Sequence, residues 1–337
     1  MREISNPILL LHAGGTICSG PMGSNKGVGP CDDIQYFSRY GAEIVAHKIS
    51  NELSENLQYS DLKAMADAIE TRGHRHVVVL HGTDTAARTL AYLDMTCPTR
   101  VILMVCSQKS PDKPDSQARK ILDAAISAVC EIKDNGAYVI GYWKPARYLV
   151  HHAKYAFKRS SYDKCTFVSQ MATCVPGRPP RYMEIQSGRL FGNRHVICES
   201  YRHRAGLVDR RGFVHAKCGK KMVLPRSPKF ATVPVLHSDS SMMSNQRIAA
   251  GYFSIVQAAD SVVMIGTGLS HIPRDIARLF GAFAGKIHIG SRCPLGPKTH
   301  KVYSSGRHLR KLGFQIAPAI SVEYYRLFLE LGGRWDD

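Results

Sequence analysis

Two turns in the first hundred residues carry the residue types that acyl transfer requires. Gly15 and Thr16 belong to the turn at 14–17, and Thr83 and Asp84 belong to the turn at 81–85. A threonine hydroxyl becomes a useful nucleophile when a neighbouring base takes its proton, and backbone N–H groups must face the developing oxyanion. The glycines before Thr16 allow such a close backbone approach. Taken singly, the first turn is better explained as a tight strand-to-loop turn, and the second is equally well explained as a capped helix start.

The segments around these turns predict a parallel α/β sheet, because apolar strand-like segments alternate with helical patterns. Strands are predicted at 7–12 and 76–80, each directly before one of the threonine turns. A helix with Ser60 as its N-cap and Gly73 at its end is predicted between them. The carboxyl ends of parallel strands share one sheet edge, where ligands bind. We therefore expect the two turns to meet there.

The later part of the chain changes in charge and then repeats the α/β pattern. Thirteen Lys and Arg face three Asp and Glu between 178 and 229. Strands and helices are predicted again from residue 231, ending in a helix near 322–331. We predict a larger N-terminal parallel-sheet domain at 1–177, a basic connector at 178–230 and a smaller C-terminal α/β domain at 231–337.

Composition narrows the class of protein. The chain has 337 residues, 44% of them hydrophobic, and a formal net charge of +18, which is an ordinary globular composition apart from its basicity. No apolar segment approaches the roughly 20 residues that cross a bilayer, and the N-terminal apolar stretch is too short for a signal peptide. Ten cysteines without a C-x-x-C pair predict free thiols, no metal site and a cytoplasmic protein.

Taken together, the two threonine turns resemble the paired motifs of the bacterial-type L-asparaginase family. The resemblance extends over nearly the whole chain, through further matches at 53–57, 266–271 and 302–307. It implies an asparaginase-like fold, no cofactor, and hydrolysis of the side-chain amide of L-Asn or L-Gln through a threonine nucleophile, with release of ammonia.

The resemblance also implies a role for each matching residue. Thr16 matches the nucleophile and Thr83 the second catalytic threonine. Asp84 matches the carboxylate that holds the substrate α-amino group. Lys158 matches the catalytic lysine paired with the second threonine, and a lysine beside an aspartate in a partly desolvated cleft can relay the proton that threonine loses.

A second set of matching residues belongs to the substrate-binding site. Ser54 matches the residue that binds the substrate α-carboxylate, and Glu55 stands beside it. Gly15 is included because its turn brings the backbone close to the substrate. Family members form dimers or tetramers in which a neighbouring subunit completes the site, so we expect a homo-oligomer.

One loop, at 108–114, is most similar to the D-type subunit of archaeal glutamyl-tRNA(Gln) amidotransferase, a branch of the same family. That branch implies a partner subunit and tRNA. We expect its additional N-terminal domain to have no counterpart here. The sequence also departs from the family in having no Tyr at 19–30, and from the branch in having Gln117. A free-standing L-asparaginase and a catalytically weak RNA- or partner-binding protein with this fold remain the alternatives.

The basic balance favours a polyanionic partner, with tRNA as the candidate, bound through phosphate contacts. Candidate contacts are the basic pairs in the connector, namely Arg202, Arg204, Arg210 and Arg211. Few aromatic residues lie among them, so stacking on single-stranded bases is not indicated. A solvated basic face with no ligand explains the same charges equally well.

Overall fold

A computed structural model describes the chain at 7–21, 28–30, 44–144, 147–158, 166–169, 183–186, 189–191, 207–209, 212–214, 221–225, 230–238, 246–266, 272–291, 304–318 and 320–336. The chain divides into two compact units. The first comprises Met1–Ser169 and Arg181–Val196, and the second comprises Gln170–Pro180 and Ile197–Asp337. Each unit combines helices with a sheet containing parallel strands, so the predicted α/β class is confirmed.

The first unit holds twelve strands, three α-helices and two short 3-10 helices among its described residues. The strands are β1 Ile8–His12, β2 Ser19–Pro21, β3 Val28–Pro30, β4 Ile44–Lys48, β5 His76–His81, β6 Val101–Cys106, β7 Gly136–Lys144, β8 Arg147–His152, β9 Ala156–Lys158, β10 Phe167–Ser169, β11 Met183–Gln186 and β12 Arg189–Phe191. The helices are α1 Tyr59–Arg72, α2 Ala86–Thr96 and α3 Ala118–Val129, with the 3-10 helices η1 Thr16–Cys18 and η2 Ser54–Asn56.

Eight of these strands form the main sheet, in the order β12-β11-β8-β7-β6-β5-β1-β4. The strands β4, β1, β5, β6 and β7 are parallel. Strands β8, β11 and β12 extend the sheet with antiparallel pairings. The central strands β1, β5 and β6 are apolar and buried along almost their whole length, as expected for a sheet covered on both faces. The basic segment thus contributes two strands, at 183–186 and 189–191, to this sheet.

Strands β1 and β5 are neighbours, as the sequence predicts. They pair in parallel from Leu9 opposite Val77 to His12 opposite Leu80, and the Ala13 N–H donates to the Leu80 carbonyl at 3.0 Å. Both strands therefore end at the same edge of the sheet. The turns that follow them, at 14–17 and 81–85, lie side by side.

The predicted C-terminal end of helix α1 is confirmed, whereas the predicted N-cap is wrong. Gly73 ends the helix with a left-handed φ of 72°, where glycine avoids the Cβ strain of other residues. The N-cap is Gln58, not Ser60, and Ser60 lies inside the helix. The Gln58 N–H donates to the Asp61 Oδ2 at 2.8 Å, so a reciprocal box formed with Asp61 starts the helix earlier than predicted.

Among its described residues, the second unit holds two four-stranded sheets. Its strands are β13 Leu207–Asp209, β14 Gly212–Val214, β15 Lys221–Val223, β16 Val235–His237, β17 Val262–Gly266, β18 Ile287–Ser291, β19 Gln315–Ile316 and β20 Arg334–Asp336. Its helices are α4 Gln246–Ala258, α5 Arg274–Leu279, α6 Ser304–Lys311 and α7 Val322–Glu330, with the 3-10 helix η3 Gly281–Lys286. The sheet β16-β17-β18-β19 is parallel, and β13-β14-β15-β20 is antiparallel.

Among the described residues, no helix is both long enough and apolar enough to span a membrane. Cys18, Cys97 and Cys106 are buried and Cys130 is partly buried, and none of these four described cysteines forms a disulfide with another. The described ranges also contain no group of three or more metal-ligating side chains.

Candidate active site

The two threonine turns touch through their glycines. A Cβ atom on Gly15 would overlap the Gly82 amide nitrogen and Cα. Gly15 has φ 79° and ψ 179°, a backbone conformation essentially restricted to glycine. Because Thr16 and Thr83 directly follow these glycines, the contact brings the two hydroxyl-bearing turns together.

The first turn is held by backbone and side-chain hydrogen bonds. The Gly15 N–H donates to the Glu52 carbonyl at 2.9 Å, and a Cβ on Gly14 would overlap that same carbonyl oxygen. The buried Ser19 hydroxyl donates to the Gly15 carbonyl at 2.9 Å, as does the Cys18 N–H at 2.9 Å. The Gly15 carbonyl therefore accepts two hydrogen bonds, which fix the peptide unit between Gly15 and Thr16. Thr16 is the half-buried first residue of η1.

The second turn is joined to a lysine from a distant part of the chain. The Lys158 Nζ donates to the Thr83 Oγ1 at 3.0 Å and to the Asp84 Oδ1 at 2.7 Å. The Lys158 side chain is 18% exposed, whereas the Asp84 side chain is 61% exposed. The structure therefore places a hydroxyl, an ammonium and a carboxylate in one cluster, with the carboxylate open on its outer side.

Lys158 reaches this cluster from the last residue of β9. In the two-stranded β9-β10 pairing, Lys158 stands opposite the buried Phe167. Strand β9 lies against α2, the helix that follows the second threonine turn. A strand end next to the start of α2 thus presents the ammonium to Thr83.

Ser54 and Glu55 occupy η2 and differ in their surroundings. Ser54 is buried beneath the second turn: a Cβ on Gly82 would lie 2.5 Å from its Oγ, and the Thr85 Oγ1 donates to its carbonyl at 2.7 Å. Glu55 is exposed. The structure brings Ser54 to the glycine contact and leaves Glu55 at the surface.

Two buried side chains beside the second turn were missed by the sequence analysis. The His81 Nδ1–H donates to the Gly82 carbonyl at 2.7 Å, and the Cys106 thiol donates to the same oxygen at 3.7 Å. Burial lowers the pKa of His81 to about 4 and raises the pKa of Cys106. The only sequence signal was their place in apolar strands at the sheet edge.

These bonds fix the peptide unit that joins Gly82 to Thr83. The Thr83 N–H lies on the opposite side of that unit from the bonded carbonyl. Within the part of the chain that the structure describes, this N–H has no backbone acceptor. An N–H without a backbone acceptor is the kind of donor that acyl transfer requires for a developing oxyanion.

The remaining predicted positions lie outside the described residues. These are Arg202, Arg204, Arg210 and Arg211, the later motif residues 267–271 and 302–303, and residues 22–27 of the segment at 19–30 that lacks a tyrosine.

The fold and the two threonine turns define an α/β amidohydrolase. A family described as "Asparaginase, N-terminal" matches residues 7–177, about half of the chain. The chain belongs to the asparaginase family.

Relatives from two branches of this family are similar to the chain. The D-type subunit of glutamyl-tRNA(Gln) amidotransferase from Thermoplasma volcanium is 24% identical over 96% of this chain and 76% of its own length. Its counterpart from Methanosarcina barkeri is 27% identical over 91% of this chain and 69% of its own length. A probable L-asparaginase of Deinococcus radiodurans is 30% identical over 36% of this chain and 39% of its own length.

Solved structures support the fold assignment. The thermostable L-asparaginase from Thermococcus kodakarensis superposes with a TM-score of 0.73 at 18% identity, covering 96% of this chain and 92% of that one. A probable cytoplasmic L-asparaginase from Campylobacter jejuni gives a TM-score of 0.66 at 21% identity, with 97% and 94% covered. The asparaginase-like fold is thereby confirmed.

Proposed function

We propose that this protein hydrolyses the side-chain amide of L-asparagine or L-glutamine and releases ammonia, with Thr16 as the nucleophile. Membership of the asparaginase family supports the reaction class. The observation that carries the proposal is the Lys158 ammonium bonded to both Thr83 and Asp84, next to the turn that bears Thr16. Such a cluster supplies the proton transfers that a threonine hydroxyl needs before it can attack.

The proposed reaction has two acyl-transfer steps. The Thr16 Oγ forms a bond to the amide carbon while its proton is passed to the departing nitrogen, and the C–N bond breaks to release ammonia. Water then adds to the resulting ester, and the C–O bond to Thr16 breaks, which restores the hydroxyl and frees aspartate or glutamate. The Thr83 N–H stabilises the oxyanion in both steps. The reaction needs no cofactor.

Thr83 and Lys158 act together as the proton relay in this proposal. Across the 3.0 Å contact, the Thr83 hydroxyl passes a proton to Lys158 in its neutral amine form, and the resulting ammonium returns that proton as ammonia departs. Asp84 balances the ammonium through its Oδ1 at 2.7 Å. Its largely exposed side chain leaves the other oxygen for the substrate α-ammonium, which is the role that the family resemblance assigns to it.

Substrate binding is assigned to the neighbouring turn. The buried Ser54 is proposed to bind the α-carboxylate, with Glu55 next to it in η2. Gly15 is proposed to contribute its backbone to the substrate-binding site. It has no side chain, so its backbone lies directly against Gly82. Selection between asparagine and glutamine depends on one methylene, which a small apolar pocket distinguishes by only about 1–3 kcal/mol.

We further propose that the ammonia is delivered to a partner subunit acting on tRNA. The glutamyl-tRNA(Gln) amidotransferase relatives match more than nine-tenths of this chain and favour this branch. The loop at 108–114 that resembles the branch is held by hydrogen bonds, since the Ser107 and Ser116 hydroxyls both donate to the Lys109 carbonyl at 2.7 and 3.0 Å. We propose a cytoplasmic homo-dimer or tetramer, which light scattering of the purified protein would test.

Ammonia release tests the function directly. We expect the parent protein to release ammonia from one of the two amides, and Thr16→Ala, Thr83→Ala and Lys158→Met each to lose that activity while keeping the parent circular dichroism spectrum. Lys120→Met, at an exposed lysine on α3, is the matched control and is expected to keep it. Near-parent rates in any two of the three site variants would reject the proposal. RNA binding without amide hydrolysis would favour the catalytically weak alternative.

A further inference from the structure

The second unit carries a basic surface on α6, away from the basic segment at 178–230 in sequence. The stretch from 276 to 322 contains eight Lys and Arg and no Asp or Glu. Helix α6 lies within this stretch and has no acidic residue, and its last turn contains His308, Arg310 and Lys311. We propose that α6 binds the phosphate backbone of folded RNA.

The spacing on the helix concentrates the charge on one face. Arg307, Arg310 and Lys311 stand at i, i+3 and i+4, positions that are neighbours on a helix surface with Cβ atoms roughly 5–6 Å apart. All three side chains are exposed. Leu309 points the other way and is 1% exposed within the apolar core of this unit. One buried leucine therefore anchors the helix while three cations face solvent.

Several basic residues elsewhere on the surface are ion-paired. Lys63 pairs with Asp67, Arg100 with Glu70, and Arg326 with Glu330. Within the described ranges, none of the three cations on α6 is paired with a carboxylate. Their charges are thus available to an anionic partner, and binding would not first have to break an intramolecular ion pair.

The composition of α6 favours folded RNA over a membrane surface or a single-stranded nucleic acid as the bound polyanion. A helix that inserts into the interface of a membrane needs an exposed apolar face, but the leucine of α6 is already buried in the core. The helix has no Phe, Tyr or Trp, the large aromatic side chains that form stacking platforms for unpaired bases. Three closely spaced cations on long side chains fit the phosphates of a structured RNA, which are contacted without regard to base sequence.

This inference deepens the proposed tRNA partnership by giving it a surface, and it is independent of amide hydrolysis. It predicts that the affinity for RNA falls steeply with salt, because bound cations release counterions from the phosphates. Each phosphate contact contributes about 0.7–0.9 to the slope of log K against log salt concentration. Removing three contacts lowers that slope by about 2–3.

The test measures binding of a fluorescein-labelled tRNA transcript to the full chain across a salt series. The variant Arg307→Gln/Arg310→Gln/Lys311→Gln is compared with Arg72→Gln/Lys120→Gln/Lys133→Gln, which removes the same charge from exposed positions of the first unit that, among the described residues, are not paired with a carboxylate. We expect the α6 variant to bind at least about tenfold more weakly at low salt with the reduced slope. The control is expected to keep the parent slope.

Three results of the tRNA titration would overturn the inference. These are an absence of tRNA binding by the parent chain, a slope unchanged in the α6 variant, and an equal loss in the control, which would make net charge alone responsible. Phosphatidylserine vesicles provide the membrane arm, and binding to them that equals tRNA binding would also contradict it. Ammonia release by the same variants separates the two proposals, since the α6 variant is expected to retain it.

Discussion

Lys158 and Thr83 are separated by 75 positions in sequence, yet the Lys158 Nζ lies 3.0 Å from the Thr83 Oγ1. The same nitrogen contacts the Asp84 carboxylate at 2.7 Å. The contact joins a short strand end to the turn that follows a central strand of the sheet. It is the geometric basis for assigning the two side chains to one proton relay.

A double-mutant cycle on this pair tests the relay. Lys158→Met and Thr83→Ala are each expected to lower kcat by about 10²- to 10⁴-fold, the usual contribution of a positioned acid or base. The double variant is expected to lose no more than the worse single variant, because groups that act as one unit are not additive. Losses that multiply would show that the two side chains act separately.

Gly15→Ala tests the contact between the two turns. The added Cβ combines a left-handed φ of 79° with overlap of the Gly82 backbone. Gly73→Ala is the matched control, since Gly73 has φ 72° and nothing within 4 Å of a Cβ. We expect the control to lower the free energy of unfolding by about 1–2 kcal/mol, the strain of a left-handed residue, and Gly15→Ala to lower it by at least twice as much. Urea denaturation measures both, and equal losses would contradict the packing argument.

The sequence predicts that the two threonine turns lie at one edge of the sheet, because the position of each turn depends on the strand before it. The apolar strands before the two turns predict a shared sheet edge, and β1 pairs with β5 as expected. Gly73 ends α1 as predicted, since the signal is local. The N-cap prediction at Ser60 was wrong because Gln58 and Asp61 form a competing pair of bonds.

The long-range contacts could not be derived from local pattern. Lys158 entered the prediction through family resemblance alone, because a lysine at the end of a three-residue strand carries no signal of its own. The Gly15–Gly82 contact and the bond from His81 to the Gly82 carbonyl depend on packing between distant segments. Glu55 shows the opposite limit: adjacency to Ser54 in sequence does not give it a buried position.

The buried His81 gives the stability a defined pH dependence. Its pKa is lowered from 6.5 to about 4 by burial, so the unfolded chain binds a proton below pH 6.5 that the folded chain does not bind until about pH 4. The stability is fully present above 6.5 and is lost progressively as the pH falls from 6.5 to 4, by up to about 3 kcal/mol from this group.

His81→Asn tests this dependence while keeping a donor for the Gly82 carbonyl. The difference in free energy of unfolding between about pH 7 and about pH 4.5 is expected to be smaller in the variant than in the parent by most of that amount. Urea denaturation at the two pH values gives the comparison. Identical pH dependence in parent and variant would show that His81 titrates normally in the folded protein.

Ser19→Ala tests the hydrogen bond that holds the first threonine turn. The Ser19 hydroxyl donates to the Gly15 carbonyl at 2.9 Å and so fixes the peptide unit before Thr16. Loss of one buried hydrogen bond costs about 1 kcal/mol, and we expect kcat to fall roughly fivefold with KM little changed. Ser127→Ala is the control, because its hydroxyl donates to the Asp123 carbonyl on an exposed helix face. A rise in KM at constant kcat would assign Ser19 to substrate binding instead.

The most direct test of the account is ammonia release from L-asparagine and L-glutamine by the purified parent protein beside Thr16→Ala. The account predicts release from at least one amide by the parent and none above the uncatalysed rate by the variant. Transient labelling of Thr16 as an acyl ester, detected by mass spectrometry after rapid acid quench, would accompany it. Equal ammonia release by Thr16→Ala and the parent would contradict the assignment of Thr16 as the nucleophile.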